Sequence, residues 1–183
     1  MTRAIVRFFA VLLALFLAAC ASMMGLRDVE VPLSKLQASL EKRFPFNSRY
    51  LELFDIQLTS PRLALQPDGN RMLASFDASI APGWLKRSWQ GNFALSGVLA
   101  IDPAWNAVVL TDPRVETLNI NGLDDKYARQ LVKIGSLLAE EVFRGMPLYT
   151  FQPEDFRYGG TTFFPTKINT YRDGLVVSFE PVK

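Results

Sequence analysis

DDKYARQLVKIGSLLAEEVFR, residues 124–144, carries a helical hydrophobic period, and the reading of the rest of the chain turns on it. Tyr127, Leu131, Ile134, Leu138 and Val142 recur in steps of three and four, so they share one helix face. Arg129, Lys133, Ser136 and Glu140 share the opposite one. Asp124 or Asp125 stands where a helix takes its N-cap. Asp125 with Arg129 and Glu140 with Arg144 form i,i+4 ion pairs, worth about 0.2–0.5 kcal/mol each. Gly145 and Pro147 end the run. The spacing predicts one long amphipathic helix.

Most of the chain on either side has a period of two. Tyr50, Phe54, Ile56 and Leu58 predict one strand, and Leu63 with Leu65 a second. Pro67-Asp68-Gly69-Asn70 is a turn, because Pro presets φ and Gly-Asn tolerate positive φ. The return strand places Met72, Ala74, Phe76, Ala78 and Ile80 on one face and Ser75, Asp77 and Ser79 on the other. Pro82-Gly83 breaks the sheet. Phe93, Leu95, Leu99 and Ile101 line a further strand, with Gly97 as a bulge or bend. Asp102-Pro103 turns the chain, and residues 107–111 and 115–120 complete the antiparallel run. Leu148–Phe151 and two strands around Arg172-Asp173-Gly174 follow, the last with Leu175, Val177 and Phe179 on one face. Near the start, Pro32 opens a shorter helix with Leu33, Leu36, Leu40 and Phe44 in one stripe, and Pro45 stops it. The expected fold class is α+β: a curved antiparallel sheet wrapped on a long helix, with a second, shorter N-terminal helix.

The first twenty residues predict an address. Arg3 and Arg7 precede an uncharged run from Phe8 to Leu17, too short for the roughly 20 residues that cross a bilayer. Leu17-Ala18-Ala19-Cys20 then resembles the lipobox of bacterial lipoproteins. The resemblance implies lipidation of Cys20 and cleavage before it, and several acyl chains at about 0.8 kcal/mol per CH2 give lasting attachment. Residues 1–19 are then a signal peptide, 20–31 a lipidated tether and 32–183 one domain. Ala21 stands where enterobacterial lipoproteins retained in the inner membrane carry Asp, so the expected location is the outer membrane of a Gram-negative bacterium, facing the periplasm.

With Cys20 acylated no cysteine remains for a disulfide. Removing Arg3 and Arg7 lowers Lys plus Arg from 20 to 18, against 18 Asp plus Glu. A neutral mature chain argues against nucleic acid as a partner, since that needs a clustered basic footprint. The chain has no histidine, which removes Ser-His-Asp and Cys-His triads and the commonest zinc ligand. Of the paired carboxylates, Asp124-Asp125 reads as a cap, while Glu140-Glu141 and Glu154-Asp155 read as solvated charge. No catalytic residue, metal ligand or cofactor is expected.

Aromatic residues allow two readings each. Trp84 and Trp89 flank Lys86-Arg87, which suits lipid headgroups or a partner, or else a loop folded back on the sheet. Trp105 is expected to pack on a strand from a turn. Phe163-Phe164 reads either as an exposed patch or as a buried strand entry.

The order of elements resembles the YceB-like family of bacterial lipoproteins. The residues that carry this are the lipobox, Phe44-Pro45-Phe46, Leu58-Thr59-Ser60-Pro61, the long helix, Pro147-Leu148-Tyr149 and a closing strand at Val176 to Glu180. That family in turn resembles the tubular lipid-binding (TULIP) superfamily, which implies an apolar groove between a curved sheet and a long helix. Phe76, Ala78, Ile80, Phe93, Leu95, Gly97, Leu99, Tyr127, Leu131, Ile134, Leu138, Val177 and Phe179 are the candidate lining. The expected function is non-catalytic binding of a lipid or other hydrophobic small molecule. The same stripes also suit a filled core, and then the expectation is an envelope structural or assembly factor acting through protein–protein contact.

Overall fold

Arg71–Pro82 keeps the alternation that its sequence carries: Met72, Ala74, Phe76, Ala78 and Ile80 are buried, and the residues between them are half-buried on the opposite face or lie outside the burial description. A computed structural model describes residues 25–50, 54–82, 88–122, 133, 135–137 and 139–182. Its elements are β1 (Arg27–Pro32), α1 (Leu33–Glu41), β2 (Phe46–Tyr50), β3 (Phe54–Gln66), β4 (Arg71–Pro82), β5 (Trp89–Asp102), β6 (Ala107–Ile120), β7 (Pro147–Thr150), a 3-10 turn (Pro153–Phe156), β8 (Arg157–Tyr158), β9 (Thr161–Thr170) and β10 (Gly174–Pro181). Strands β2 to β7 form a six-stranded antiparallel meander in chain order. A four-stranded sheet runs β1-β10-β9-β8.

The expected α+β class is corrected by this arrangement. The protein is mostly β: two antiparallel sheets, each curled into a half-barrel. Among the described residues the one complete helix is α1, of nine residues. Residues 133, 135–137 and 139–143 are also helical, but no long helix is described. Tyr127, Leu131, Ile134 and Leu138, four of the five stripe residues on which a sheet wrapped on a long helix depended, lie outside the described residues. The TULIP-like form implied by the family resemblance falls with that class.

The physical reason lies in the strands. β3 to β6 are 12 to 14 residues long and are bent by bulges. The β3–β4 register shifts between Thr59 and Arg62, where Ser60 has φ +50 and Pro61 donates no N–H. The β5–β6 register shifts on both sides of Leu95 and Ser96, opposite Asp112 (φ +47) and Pro113. Extra residues of this kind increase twist, so long strands curl until their inner faces meet one another. The pieces expected as separate strands on either side of Ser60-Pro61 and of Asp112-Pro113 are therefore single bent strands.

A β-on-β core follows. Phe76, Leu95, Leu99 and Leu110 of the meander join Val177, Phe179, Phe163 and Ile168 of the four-stranded sheet in one apolar cluster. Phe76 is fully buried, with ring centroids of Phe44, Phe143 and Phe93 at 4.8, 5.6 and 6.0 Å. Phe151 stands edge-on to Phe179 at 5.2 Å and Phe156 does so at 5.8 Å, joining the sheets at one end. α1 buries Leu36 and Leu40 and docks through Gln37. The Gln37 Oε1 accepts the Leu63 N–H at 2.8 Å and its Nε2 donates to the Pro61 carbonyl at 2.6 Å. Both partners are backbone groups beside the β3 bulge.

The β3–β4 turn contains Gly69 and Asn70 at positive φ, as its sequence predicts. Asn70 also clasps the second sheet: its Nδ2 donates to the Ile168 carbonyl at 2.9 Å and its Oδ1 accepts the Thr170 N–H at 3.0 Å. Arg27 to Val31, expected as the end of a tether, form strand β1 together with Pro32, paired with β10 from Arg27↔Phe179 to Pro32↔Gly174. Pro32 is the N-cap of α1 rather than its first helical residue.

Candidate functional site

The inner face of the meander is not filled everywhere. Near the ends of β3 to β6 that lie away from the four-stranded sheet, the ladder sets Ile56 against Ile80, Leu58 against Ala78, and Phe93 against Leu118. Phe46 of β2 stands opposite Leu58. The helical residues Gly135, Val142 and Phe143 approach this surface, and the space left between is an apolar pocket. Ala78 and Gly135 are the small members of its wall. A Cβ placed on Gly135 would lie 3.4 Å from Leu118 Cδ2 and 3.9 Å from Phe93 Cε2, which is ordinary contact. Gly135 thus brings its helical segment close to the sheet while leaving room beside it.

The cavity measures about 40 Å3, several times the roughly 10–15 Å3 that one water requires. Together with the open solvent in front of it, the empty space is about 510 Å3. The enclosed part is narrow and the rest is an open vestibule, so the site suits the end of an apolar chain rather than a fully engulfed lipid. All ten described lining residues are apolar: Phe46, Ile56, Leu58, Ala78, Ile80, Phe93, Leu118, Gly135, Val142 and Phe143. Such a wall offers a ligand dispersion contacts and release of water, with no group to orient a reacting polar atom.

Three of the candidate groove residues, Ala78, Ile80 and Phe93, line this pocket. Phe76, Leu95, Leu99, Val177 and Phe179 do not; all five are at most 4% exposed and pack against one another's sheets. Gly97 faces no space either, because a Cβ there would meet Leu110 Cδ1 at 2.4 Å. Cys20, Tyr127, Leu131, Ile134 and Leu138 fall outside the described residues. Phe46, Ile56, Leu58, Leu118, Gly135, Val142 and Phe143 were missed as lining, although Ile56, Leu58 and Val142 were recognised as apolar-face residues. Their shared face is legible in the sequence; the gap beside them is not.

The carboxylates considered for catalysis sit elsewhere. Glu140 is ion-paired with Arg144 on an exposed surface. Asp155 accepts the Gln152 N–H at 2.8 Å and so caps the 3-10 turn. Asp124 and Asp125 lie outside the described residues. Asp77 is held below the usual aspartate range by the Ser60 hydroxyl and then by Arg62, on the exposed face of the sheet. Burial, followed by the Asp155 charge, raises the Tyr149 phenol. Neither shifted group touches the pocket.

The aromatic residues divide. Phe163 is buried and Phe164 is 51% exposed, so the pair is both a strand entry and a surface feature. Trp105 is 68% exposed at the β5–β6 turn rather than packed on a strand. Trp89 is half-buried in β5, opposite Ile80, and Trp84 lies outside the described residues. No protein-family model matches the chain, and no curated protein matches it.

Proposed function

We propose that the protein is a lipid-anchored protein of the bacterial outer membrane that faces the periplasm and binds the end of a lipid or other hydrophobic molecule, without catalysing a reaction. The observation that carries this reading is the pocket between β2–β6 and the helical residues Gly135, Val142 and Phe143, whose described lining is wholly apolar. Anchoring rests on Leu17-Ala18-Ala19-Cys20, and the non-catalytic part on a sequence without histidine and on a described lining without a carboxylate. Binding is burial in a largely preformed site.

Two variants test the pocket. Gly135→Leu fills the space beside Leu118 and Phe93 at a position where the backbone is helical, and Ala78→Leu fills it from the opposite wall. The parent protein, purified from cells, should yield extractable lipid and bind a fluorescent fatty acid. Both variants should lose most of that binding while losing less than the roughly 1–3 kcal/mol typical of an overpacked core. A parent protein that neither carries lipid nor binds the fatty acid rejects the reading.

The packed state of Phe76, Leu95, Leu99, Val177 and Phe179 favours a second reading, an envelope assembly factor that acts through protein contact. In that case Gly135→Leu and Ala78→Leu lower the unfolding midpoint and change no ligand. The anchor has its own test: Cys20→Ser should remove incorporated labelled fatty acid and release cleaved protein from the membrane fraction. Persistent label on the variant rejects the lipobox.

A further inference from the structure

Seven large apolar side chains are exposed among the described residues, and five of them gather at one end of the molecule. The register puts Leu26 one step beyond Arg27↔Phe179, level with Glu180, and Glu180 opposite Phe164. Val182 donates its N–H to the Thr162 carbonyl on the same strand end. Tyr158 lies under the Arg27 guanidinium at 5.5 Å, and Arg27 reaches the carbonyls of Glu154 and Asp155 at 3.1 and 2.9 Å. Trp105 belongs to the same end: the neighbouring Asn106 carbonyl accepts the Phe151 N–H at 2.9 Å, and Phe151 packs on Phe156 and Phe179.

Leu26 stands six residues after Cys20. At most about 3.6 Å per residue, the chain between them spans no more than about 22 Å. The end bearing these side chains therefore stays beside the membrane that holds the acyl chains. Trp and Tyr have the chemistry for that zone, with an apolar ring for the lipid and a polar tip for the headgroups. The pocket is at the far end of the meander. From Phe93 to Asp102, beside the Trp105 turn, β5 rises about 30 Å if straight.

We infer that Leu26, Trp105, Tyr158, Phe164 and Val182 seat this end of the protein in the interface of its own membrane, with the apolar pocket held away from that bilayer. This rests on anchoring through Cys20. Oriented so, the pocket takes apolar cargo presented from the periplasm and not from the leaflet beneath it.

The test uses the full acylated protein in vesicles of phosphatidylethanolamine and phosphatidylglycerol, with part of the lipid replaced by phosphatidylcholine brominated high on its acyl chains. Trp105 emission is read as the difference between the parent and Trp105→Phe, a change on a side chain 68% exposed. The expected result is a blue-shifted Trp105 component that loses the larger part of its intensity to bromine. Leu26→Asp combined with Phe164→Asp should restore that intensity with the unfolding midpoint unchanged. A protein that floats with the vesicles while Trp105 stays red-shifted and unquenched overturns the orientation and leaves the anchor standing. A protein that does not float overturns both. A blue shift that grows with protein concentration and ignores bromine shows a second copy on this end, and also overturns the inference.

Discussion

Gly97→Leu is expected to prevent the domain from folding. An added Cβ at this position would lie 2.4 Å from Leu110 Cδ1, 2.8 Å from Leu110 Cγ and 2.9 Å from the Thr111 carbonyl oxygen. A flexible side-chain tip can move aside, but a backbone oxygen of β6 moves only if the β5–β6 ladder opens. That ladder runs from Gly91↔Ile120 to Asp102↔Ala107 and is shared by two of the longest strands. The cost therefore exceeds the roughly 1–3 kcal/mol of ordinary overpacking. It becomes comparable to the whole stability of a typical domain, about 5–15 kcal/mol. Far-ultraviolet circular dichroism and urea titration measure it. A variant with native strand signal and a midpoint near the parent's refutes the close approach. Gly91 is under a harder constraint, since a Cβ there would fall 1.9 Å from the Asn119 carbonyl oxygen.

Phe76→Ala should be the most damaging truncation of a core side chain. Phe76 is fully buried and stacks on Phe44 and Phe93 while also meeting Phe143, so one ring joins β4, β5, the segment after α1 and the helical residues before Gly145. Deleting it removes buried apolar surface and leaves a void that four different segments cannot collapse to fill. The expected loss is about 3–5 kcal/mol. For a chain of this length that corresponds to a fall in Tm on the order of 6–20 °C, at about 2–4 °C per kcal/mol. Thermal unfolding checks it, and a fall of only a few degrees places Phe76 at the margin of the core rather than its centre.

The two variants divide what was readable in advance from what was not. Phe76 was recognisable because Ala74, Phe76, Ala78 and Ile80 alternate with Ser75, Asp77 and Ser79, and these four are buried together with Met72. Gly97 was recognisable as a bulge or bend, yet it was also assigned to an open groove. Nothing local reveals that Leu110, thirteen residues later, occupies the space above it. The long helix went wrong for a related reason. A stripe at residues 127–142 reports an apolar face of helical period, but the expected fold also assigned what that face covers. The meander instead curls onto the four-stranded sheet, and much of the apolar surface meant for a helix meets other strands.

Periodicity and turn chemistry in the chain by themselves determined which side of each recognised strand is apolar and the tight turns at Gly69-Asn70 and Asp173-Gly174. These depend on interactions within a few residues, where sterics and spacing act alone. Tertiary structure decided that Arg27–Pro32 is a strand, since its partner β10 lies about 150 residues away. It also decided that strands run through Ser60-Pro61 and Asp112-Pro113, because a bulge is stable only when a neighbour such as Gln37 takes up the freed backbone groups. It placed the apolar pocket at Ala78 and Gly135 for the same reason: a cavity is made by what fails to fill it, and those atoms come from segments far apart in the chain.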